Sequence, residues 1–319
     1  MHLAPITESD LHEIAHIFAV AEAHLRQQEP VGTILPAAFL RLFDSVLQAP
    51  HWGQVLRVDE QIVGAVLASE LADETATQGA ALVHSLATLP VERQAEFSEV
   101  LFGIALENYL STQSGHVTIR VTPEHQDAYE KAVSLLPFEV RLSRRDAFVE
   151  KPLTPEKAQS VTSGTVIRTA TEQDRRFVFE LTREAFENGR LGDAIDATAA
   201  AHALLDHLDG NGVVLIAEAD NGEPLGHALL EPYYLDEFRC AVVPHIHDIF
   251  VIDSQRDRRI SHALGAACEH VVAQTGVTTI RSTVNAPLEK IDALLSSINK
   301  TGWQVTESRM RLIRHQSRS

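Results

Sequence analysis

The sequence has 319 residues, of which 45% are hydrophobic and 22% charged, and its formal net charge is −17 at pH 7. At about 100–200 residues per domain this length indicates two domains, and the composition is typical of globular proteins. The acidic excess argues against a nucleic-acid partner, because non-specific binding depends on Lys and Arg neutralising phosphates. It suits cationic small molecules such as amines, although solubility alone is the plainer explanation of the charge.

The apolar runs, the cysteines and the first residues of the sequence indicate the cellular compartment of the protein. No stretch approaches the ~20 apolar residues of a membrane span, so we expect no membrane partner. Cys240 and Cys268 form no CxxC pair, and residues 1–8 lack the basic patch and apolar run of a secretion signal. We therefore expect a cytoplasmic protein.

Five features of the first half recur in the same order in the second half, at offsets of 161 to 165 residues. The matches are residues 7–10 with 171–174, 62–67 with 225–230, Arg93 and Ser98 with Arg256 and Ser261, 118–120 with 279–281, and 137–140 with 302–305. Matches that keep their order and spacing predict a duplicated domain. We expect one copy over residues 1–153 and the other over 164–319, joined by a linker with proline and small polar residues.

Each half predicts the same order of elements and is of the α+β class. A strand leads into a helix at a Thr-Glu-x-Asp motif, where Thr or Asp can cap the helix. An irregular helical region, a hairpin, a strand, a turn, a helix, a further strand and another helix follow. The irregular helical regions are expected at 35–47 and 197–208, and each half should end in a strand pair (138–140 with 146–150, and 303–306 with 310–313).

The segment over residues 248–264 combines an apolar strand, an arginine-rich turn and a new helix. One helix face carries apolar residues at a helical period: Ile260, Leu264, Ala267 and Val271. The free N–H groups and positive dipole end of this helix would lie beside the arginines of the turn, which suit phosphate. The segment therefore predicts a phosphate-binding loop, although an ordinary turn with solvated arginines would have the same pattern.

Residues 251–264 resemble the acetyl-CoA pyrophosphate loop of the GNAT acyltransferase superfamily, in which a strand precedes Arg/Gln-x-x-Gly-x-Gly/Ala and a helix. Arg256 matches the first position and Ser261 the last small-residue position. Residues 166–174, Asn285 and the Gly302-Trp303 pair match further family positions. The resemblance implies two tandem acyl-CoA N-acyltransferase-like (GNAT) domains, each a mixed, mostly antiparallel sheet flanked by helices.

The same resemblance implies an activity: transfer of an acetyl group from acetyl-CoA, as cosubstrate, to a primary amine of a small molecule or peptide. The acceptor and the oligomeric state are not specified. The residues expected to contact the coenzyme are Phe250, Val251, Arg256, Asp257, Arg258, Arg259, Ile260, Ser261 and Asn285.

The resemblance has departures. Arg259 occupies a loop position where the family uses glycine, and Ile298 stands where many members carry an acidic tyrosine. Either the Arg259 side chain points away and the loop binds coenzyme, or binding is lost. A non-catalytic binding or regulatory protein with this fold is therefore the alternative hypothesis.

The first half departs further from the family loop. Glu96 occupies the glycine position and Glu99 follows Ser98. Each carboxylate would repel a pyrophosphate by about 1 kcal/mol or more at short range. We expect the first half to be degenerate and to bind no coenzyme.

The strand before the loop offers candidates for the general base. An imidazole or a carboxylate can accept a proton from an ammonium group, so we predict His247 and Asp248 as the catalytic residues. Strand alternation places His245 and His247 on one face and Asp248 on the other. Surface histidines at a strand entry are the structural alternative, and no metal site is predicted, because no third ligand stands nearby.

Overall fold

The computed structural model describes residues 1–25, 52–71, 81–112, 116–136, 140–153, 165–187, 196–233, 235–236, 241–252, 258–286 and 288–314. The strands, in chain order, are β1 (His2–Pro5), β2 (Trp52–Val58), β3 (Gln61–Leu71), β4 (Ala81–Thr88), β5 (His116–Val121), β6 (Val140–Pro152), β7 (Val166–Thr169), β8 (Val213–Glu218), β9 (Pro224–Glu231), β10 (Leu235–Asp236), β11 (Ala241–Val242), β12 (His245–Val251), β13 (Thr279–Asn285) and β14 (Gln304–Arg314). The α-helices are α1 (Leu11–Leu25), α2 (Gln94–Ser111), α3 (Gln126–Ser134), α4 (Arg175–Ala185), α5 (Ala197–Leu208), α6 (Arg258–Ala273) and α7 (Leu288–Asn299). No helix within these ranges is long and apolar enough to cross a membrane.

The chain forms two compact units. Unit 1 comprises Met1–Arg145, Asp236–Ala241 and Thr306–Ser319, and unit 2 comprises Asp146–Leu235 and Val242–Val305. These units differ from the contiguous halves at 1–153 and 164–319 that the sequence predicts. The difference arises because each half contributes its last strand to the sheet of the other.

Both sheets have the same plan. Unit 1 has the strand order β1-β2-β3-β4-β5-β14, and unit 2 has the order β7-β8-β9-β12-β13-β6. All pairs within these two orders are antiparallel except β4 with β5 and β12 with β13, which are parallel. The predicted mixed, mostly antiparallel sheets are confirmed.

A buried arginine–glutamate pair joins each exchanged strand to its sheet. In unit 1, Arg120 Nε on β5 lies 2.7 Å from Glu307 Oε2 on β14. In unit 2, Arg281 Nε on β13 lies 4.0 Å from Glu150 Oε1 on β6. All four side chains are buried or nearly so, so removing one partner would weaken the compensation of a charge in the core.

Helices cover both faces of each sheet. In unit 1, α1 buries Ile14 and Phe18 on one face, and α2 and α3 pack on the other. In unit 2, α4 and α5 cover one face, and α6 and α7 pack on the other. Ile260 and Leu264 of the predicted α6 face are buried against the sheet. The buried face continues through Cys268 and Val272, whereas the predicted Ala267 and Val271 are half-buried.

The Thr-Glu-x-Asp motifs cap the start of the following helix in the same way in both units. The backbone N–H and the hydroxyl of Thr7 both donate to Asp10, and those of Thr171 donate to Asp174. An arginine neutralises each aspartate: Arg57 in unit 1 and Arg168 in unit 2. The predicted caps are confirmed, and their reciprocal bonds satisfy N–H groups that the following helix leaves free.

The predicted secondary structure needs one correction. Each half ends in one long strand, β6 or β14, and not in a pair of short strands. Residues 141–145 contain no Gly, Pro, Asn or Asp, and Ser143 is the single residue there that favours a turn. The irregular helical region is α5 in the second half, whereas residues 35–47 lie outside the described residues.

Candidate functional site

The two parallel strands of unit 2 diverge toward their carboxyl ends. β12 and β13 pair at His245 with Arg281 and at Ile246 with Ser282. Beyond these positions β12 follows β9 as far as Val251, while β13 follows β6. A β-bulge between Ile246 and Asp248 bends β12 at this point, as an extra residue in one strand does. The divergence leaves a gap in the sheet.

A cavity of about 350 Å³ lies over this gap, between α6 and α7. Its floor is formed by Ile246, Asp248 and Ile249 of β12, Ser282, Thr283 and Val284 of β13, and Val149 and Lys151 of β6. The α7 side contributes Leu294, Ile298, Thr301 and Trp303. The lining combines aliphatic side chains with about as many polar or charged ones, and a small-molecule site needs both kinds of group.

The α6 wall of the cavity is one stripe of the helix. Its lining residues are Ser261, His262, Gly265, Ala266 and Glu269. Since a helix rises 1.5 Å per residue, the stripe extends about 12 Å from Ser261 to Glu269. It begins in the first turn of α6, where backbone N–H groups and the positive dipole end favour an anion. A phosphate at that turn and an elongated arm along the stripe fit this shape.

Solved structures with this arrangement identify the fold. A GCN5-related N-acetyltransferase from Sphaerobacter thermophilus matches with a TM-score of 0.62 at 16% identity, covering 98% of this chain and 94% of that one. A tandem GNAT protein from the clavulanic acid biosynthesis pathway matches with a TM-score of 0.55 at 14% identity, covering 100% and 99%. The chain has the tandem GNAT fold.

A further structural match covers only part of the matched protein, and the sequence comparisons give no match. A glucosamine N-acetyltransferase region of a fungal multi-domain GH3 β-N-acetylglucosaminidase matches with a TM-score of 0.55 at 14% identity, and the chain covers 38% of that protein. No protein-family model matches the sequence, and no curated protein matches it. The predicted GNAT fold is confirmed at the level of structure.

The predicted coenzyme residues are placed differently within this GNAT unit. Ser261 is exposed and lines the cavity, whereas Ile260 is buried in the core beneath α6. Arg259 is exposed and is not among the cavity-lining residues, so its side chain does not fill the cavity. Arg256 and Asp257 lie outside the described residues, as do the side chains of Arg258 and Asn285.

The predicted strand residues Phe250 and Val251 contribute at most their backbone. The Phe250 ring is buried on the α4 side of the sheet, with its centroid 5.1 Å from that of His227. Gly226, opposite Val251 on β9, lies so close to the Phe250 carbonyl that a Cβ there would collide with it. This glycine permits the close approach of β9 and β12 beside the gap.

The two predicted catalytic residues do not lie together. Asp248 lines the cavity, and its Oδ1 accepts a hydrogen bond from the Ile249 N–H at 2.8 Å. His247 is not among the lining residues. Its Nε2 lies 2.9 Å from Oε2 of the buried Glu231, and its ring centroid lies 4.7 Å from that of His245.

Sequence reasoning did not identify several cavity residues. Lys151 of β6 and Glu269 of α6 form an ion pair of 2.7 Å in the cavity wall, and Lys151 Nζ lies 5.9 Å from the centre of the Trp303 ring. Glu269 could have been found, because it lies eight residues after Ser261 on the same helix stripe. Lys151 could not, because its position depends on the exchanged strand.

Neither a metal nor a thiol provides an alternative chemistry in the described parts of the chain. No three His, Cys, Asp or Glu side chains there lie close enough to hold a metal ion. Cys268 is completely buried, and its burial raises the pKa of the thiol to about 12. It is a core residue.

The corresponding cleft of unit 1 is filled by side chains. Ser98 and Ser261 are 163 residues apart, and the same offset matches Phe102 with Gly265 and Leu106 with Glu269. Phe102 and Leu106 are buried, and the Phe102 ring packs edge-on against Tyr129 of α3 at 5.7 Å between centroids. An aromatic side chain in unit 1 thus stands where unit 2 has only a glycine.

A buried histidine completes the filling of unit 1. The ring nitrogens of His125 lie 3.1 Å from the Thr88 hydroxyl and 2.9 Å from the Thr122 hydroxyl. Burial lowers the pKa of His125 to about 4, so the ring is neutral at pH 7. At the loop, Arg93 forms two hydrogen bonds of 2.8 and 2.6 Å with Glu96, so the guanidinium is engaged within the chain.

Proposed function

We propose that unit 2 is an N-acetyltransferase, which transfers an acetyl group from acetyl-CoA to a primary amine of a small molecule or peptide. The cavity between α6 and α7 carries this proposal, because it opens on a gap between parallel strands and begins at a helix N-terminus. The GNAT fold supports the reaction class. The cytoplasm is the compartment that we propose.

The residues present fit acetyl-CoA. The pyrophosphate would be held at the first turn of α6, by backbone N–H groups, the Ser261 hydroxyl and the arginines of residues 256–259. The pantetheine arm would contact the aliphatic lining, including Ile246, Ile249 and Val284. When bound, the coenzyme supplies an activated thioester to the cavity.

Asp248 is the general base that we propose, because its carboxylate lines the cavity. It would take a proton from the acceptor ammonium, and the free amine would attack the thioester directly in a ternary complex. His247 is the second candidate for the base, supported by its contact with Glu231. The cavity wall at Ile298 offers no acidic proton, so water would protonate the leaving thiolate.

The acceptor that we propose is cationic and small, or is a peptide amine. Asp248 in the cavity and Glu231 on the neighbouring strand supply negative charge. The net charge of −17 adds long-range attraction for cations and disfavours nucleic acid.

One observation favours a non-catalytic alternative. Ile298 lines the cavity at the position where the family often has a tyrosine, so the departing thiolate has no proton donor there. A protein that binds acetyl-CoA and responds to it would need no such donor.

Acetyl-CoA turnover with a panel of primary amines distinguishes these possibilities, with the release of free coenzyme thiol as the readout. We expect turnover by the wild-type chain and a loss of about 10²–10⁴ in kcat for Asp248→Asn, the usual contribution of a general base. Calorimetry should show weakened acetyl-CoA binding by Ser261→Asp and unchanged binding by Arg93→Ala in unit 1. Binding without turnover of any amine would favour the non-catalytic alternative, and absence of binding would contradict the proposed N-acetyltransferase.

A further inference from the structure

An amine of the chain itself lies in the proposed acyl-transfer cavity. Lys151 and Glu269 line it together, and their side chains are 20% and 18% exposed. Lys151 is near the end of β6, where it pairs with Ile280 of the buried strand β13. Its Cα is therefore held by the sheet, while its ammonium group lies in the cavity that we propose for the thioester of acetyl-CoA.

The ion-pair geometry provides what acylation of an amine requires. A lysine ammonium must lose a proton before its nitrogen can attack a carbonyl carbon. The Glu269 carboxylate lies 2.7 Å from Lys151 Nζ, within the distance at which a general base can accept that proton. Lys151 and its base Glu269 are thus already in contact, whereas an acceptor amine from solution would first have to bind beside a base.

We propose that Lys151 is a site of self-acetylation, with acetyl-CoA bound in the cavity as donor; this inference rests on the proposed function. The ammonium gives one proton to Glu269, and Nζ forms a bond to the acetyl carbon. The carbon–sulfur bond then breaks, and the second proton lost from Nζ goes to the departing sulfur. The products are an amide at Lys151 and free coenzyme thiol, with no oxidant or reductant required.

Acetylation would change the cavity wall. The amide carries no charge, so the ion pair with Glu269 and the attraction of the ammonium to the Trp303 ring would both be lost. Glu269 would then lack its cationic partner, and the added acetyl group would occupy part of the cavity.

Unit 1 contains a matched control for this chemistry. Lys131 of α3 lies 2.5 Å from Glu99 of α2, and the Lys131 side chain is 63% exposed. This pair has the same two groups in contact, but it lies on the surface and lines no described cavity. Direct chemical reaction with acetyl-CoA in solution should modify Lys131 at least as readily as Lys151.

The test is incubation of the full chain with acetyl-CoA, followed by mass spectrometry of the peptides that contain Lys151 and Lys131. We expect acetylation of Lys151 at least about tenfold faster than that of Lys131. Glu269→Gln should slow the reaction at Lys151 about 10²-fold, as removal of a general base does, and leave Lys131 unchanged. Gly265→Phe, which fills the cavity, should abolish modification of Lys151 alone.

Equal rates at the two lysines, or a Lys151 rate that neither substitution changes, would overturn the inference. Calorimetry on the same samples separates it from the proposed function. Acetyl-CoA binding without modification of Lys151 overturns the self-acetylation alone, whereas absence of binding overturns the proposed coenzyme site as well. Lys151→Arg keeps the charge and removes the acceptor amine, so the acetyl label should disappear from this peptide.

Discussion

The two units share a framework and differ in what lies over the gap between their parallel strands. Unit 2 has Gly265 and an open cavity, whereas unit 1 has Phe102 at the matching position and a packed core. The sheet order, the caps and the buried arginine–glutamate pairs are the same in both. A few side chains on one helix stripe therefore decide whether this framework contains a binding space.

The largest effect is expected from removing the side chain that fills unit 1. Phe102→Ala should lower the free energy of unfolding by about 3–5 kcal/mol, because a buried aromatic side chain is replaced by a void. Urea denaturation measures this loss. Because His125 and Tyr129 still occupy the cleft, the variant should gain no affinity for acetyl-CoA; a second coenzyme site would contradict the comparison.

The shared framework can be broken at an exchanged strand. Glu307→Gln should destabilise the chain by about 3 kcal/mol or more, because buried Arg120 loses its charged partner. Hydrogen exchange should localise the effect to β5 and β14. The exposed pair of Arg175 with Asp209 is the control, and Asp209→Asn should have little effect on the free energy of unfolding. Equal costs for the two substitutions would contradict the stabilising role of the buried arginine–glutamate pair.

The buried histidine gives unit 1 a pH dependence of its own. The pKa of His125 is about 4 in the folded chain and about 6.5 when exposed, so between these values the unfolded chain binds the extra proton. Stability should therefore fall by about 1.4 kcal/mol per pH unit as the pH drops from 6.5 toward 4. Denaturation across this range should show a shallower fall of stability for His125→Gln than for the wild-type chain, and an unchanged slope would contradict the role of the buried ring.

The smallest expected effect tests the equivalence of the caps. Asp10→Ala and Asp174→Ala should each cost about 1–2 kcal/mol, since each removes the acceptor of the threonine hydrogen bonds. The Arg168 hydrogen bonds also hold the pKa of Asp174 well below its usual value, so the stabilisation from Asp174 should persist above pH 4 and disappear in acid. A clear cost at only one of the two positions would show that the duplicated motif has different roles.

The sequence predicted much of the framework because local patterns determine it. The Thr-Glu-x-Asp caps, the hairpin at Asn221 and the helical period of residues 260–271 are short-range signals, and each corresponds to the structure. The exchange of β6 and β14 could not be predicted, because it depends on pairing between strands far apart in sequence. The predicted final strand pairs were wrong because the residues between their members, including Ser143 and Ser308, continue the strand.

The site was predicted less completely than the fold. The loop pattern led to Ser261, and the strand pattern led to Asp248, both of which line the cavity. The contacts of Lys151 with Glu269 and of His247 with Glu231 join residues far apart in sequence, and no periodicity brings them together. The alignment of the two halves matches Gly265 with Phe102. Whether this difference opens a cavity depends on the packing around both residues, which the sequence does not show.

Isothermal titration of acetyl-CoA into the wild-type chain and into two glycine variants tests whether the cavity of unit 2 is the single coenzyme site. Gly265→Phe places the aromatic side chain of unit 1 into the cavity of unit 2, where the nearest neighbour of the added Cβ is Ile249 at 3.7 Å. Gly103→Phe makes the same change on α2, where nothing lies within 4 Å of the added Cβ. We predict one site per chain for the wild type and for Gly103→Phe, and none for Gly265→Phe. Equal binding by both variants, or two sites per wild-type chain, would contradict the assignment of a single coenzyme site to the cavity of unit 2.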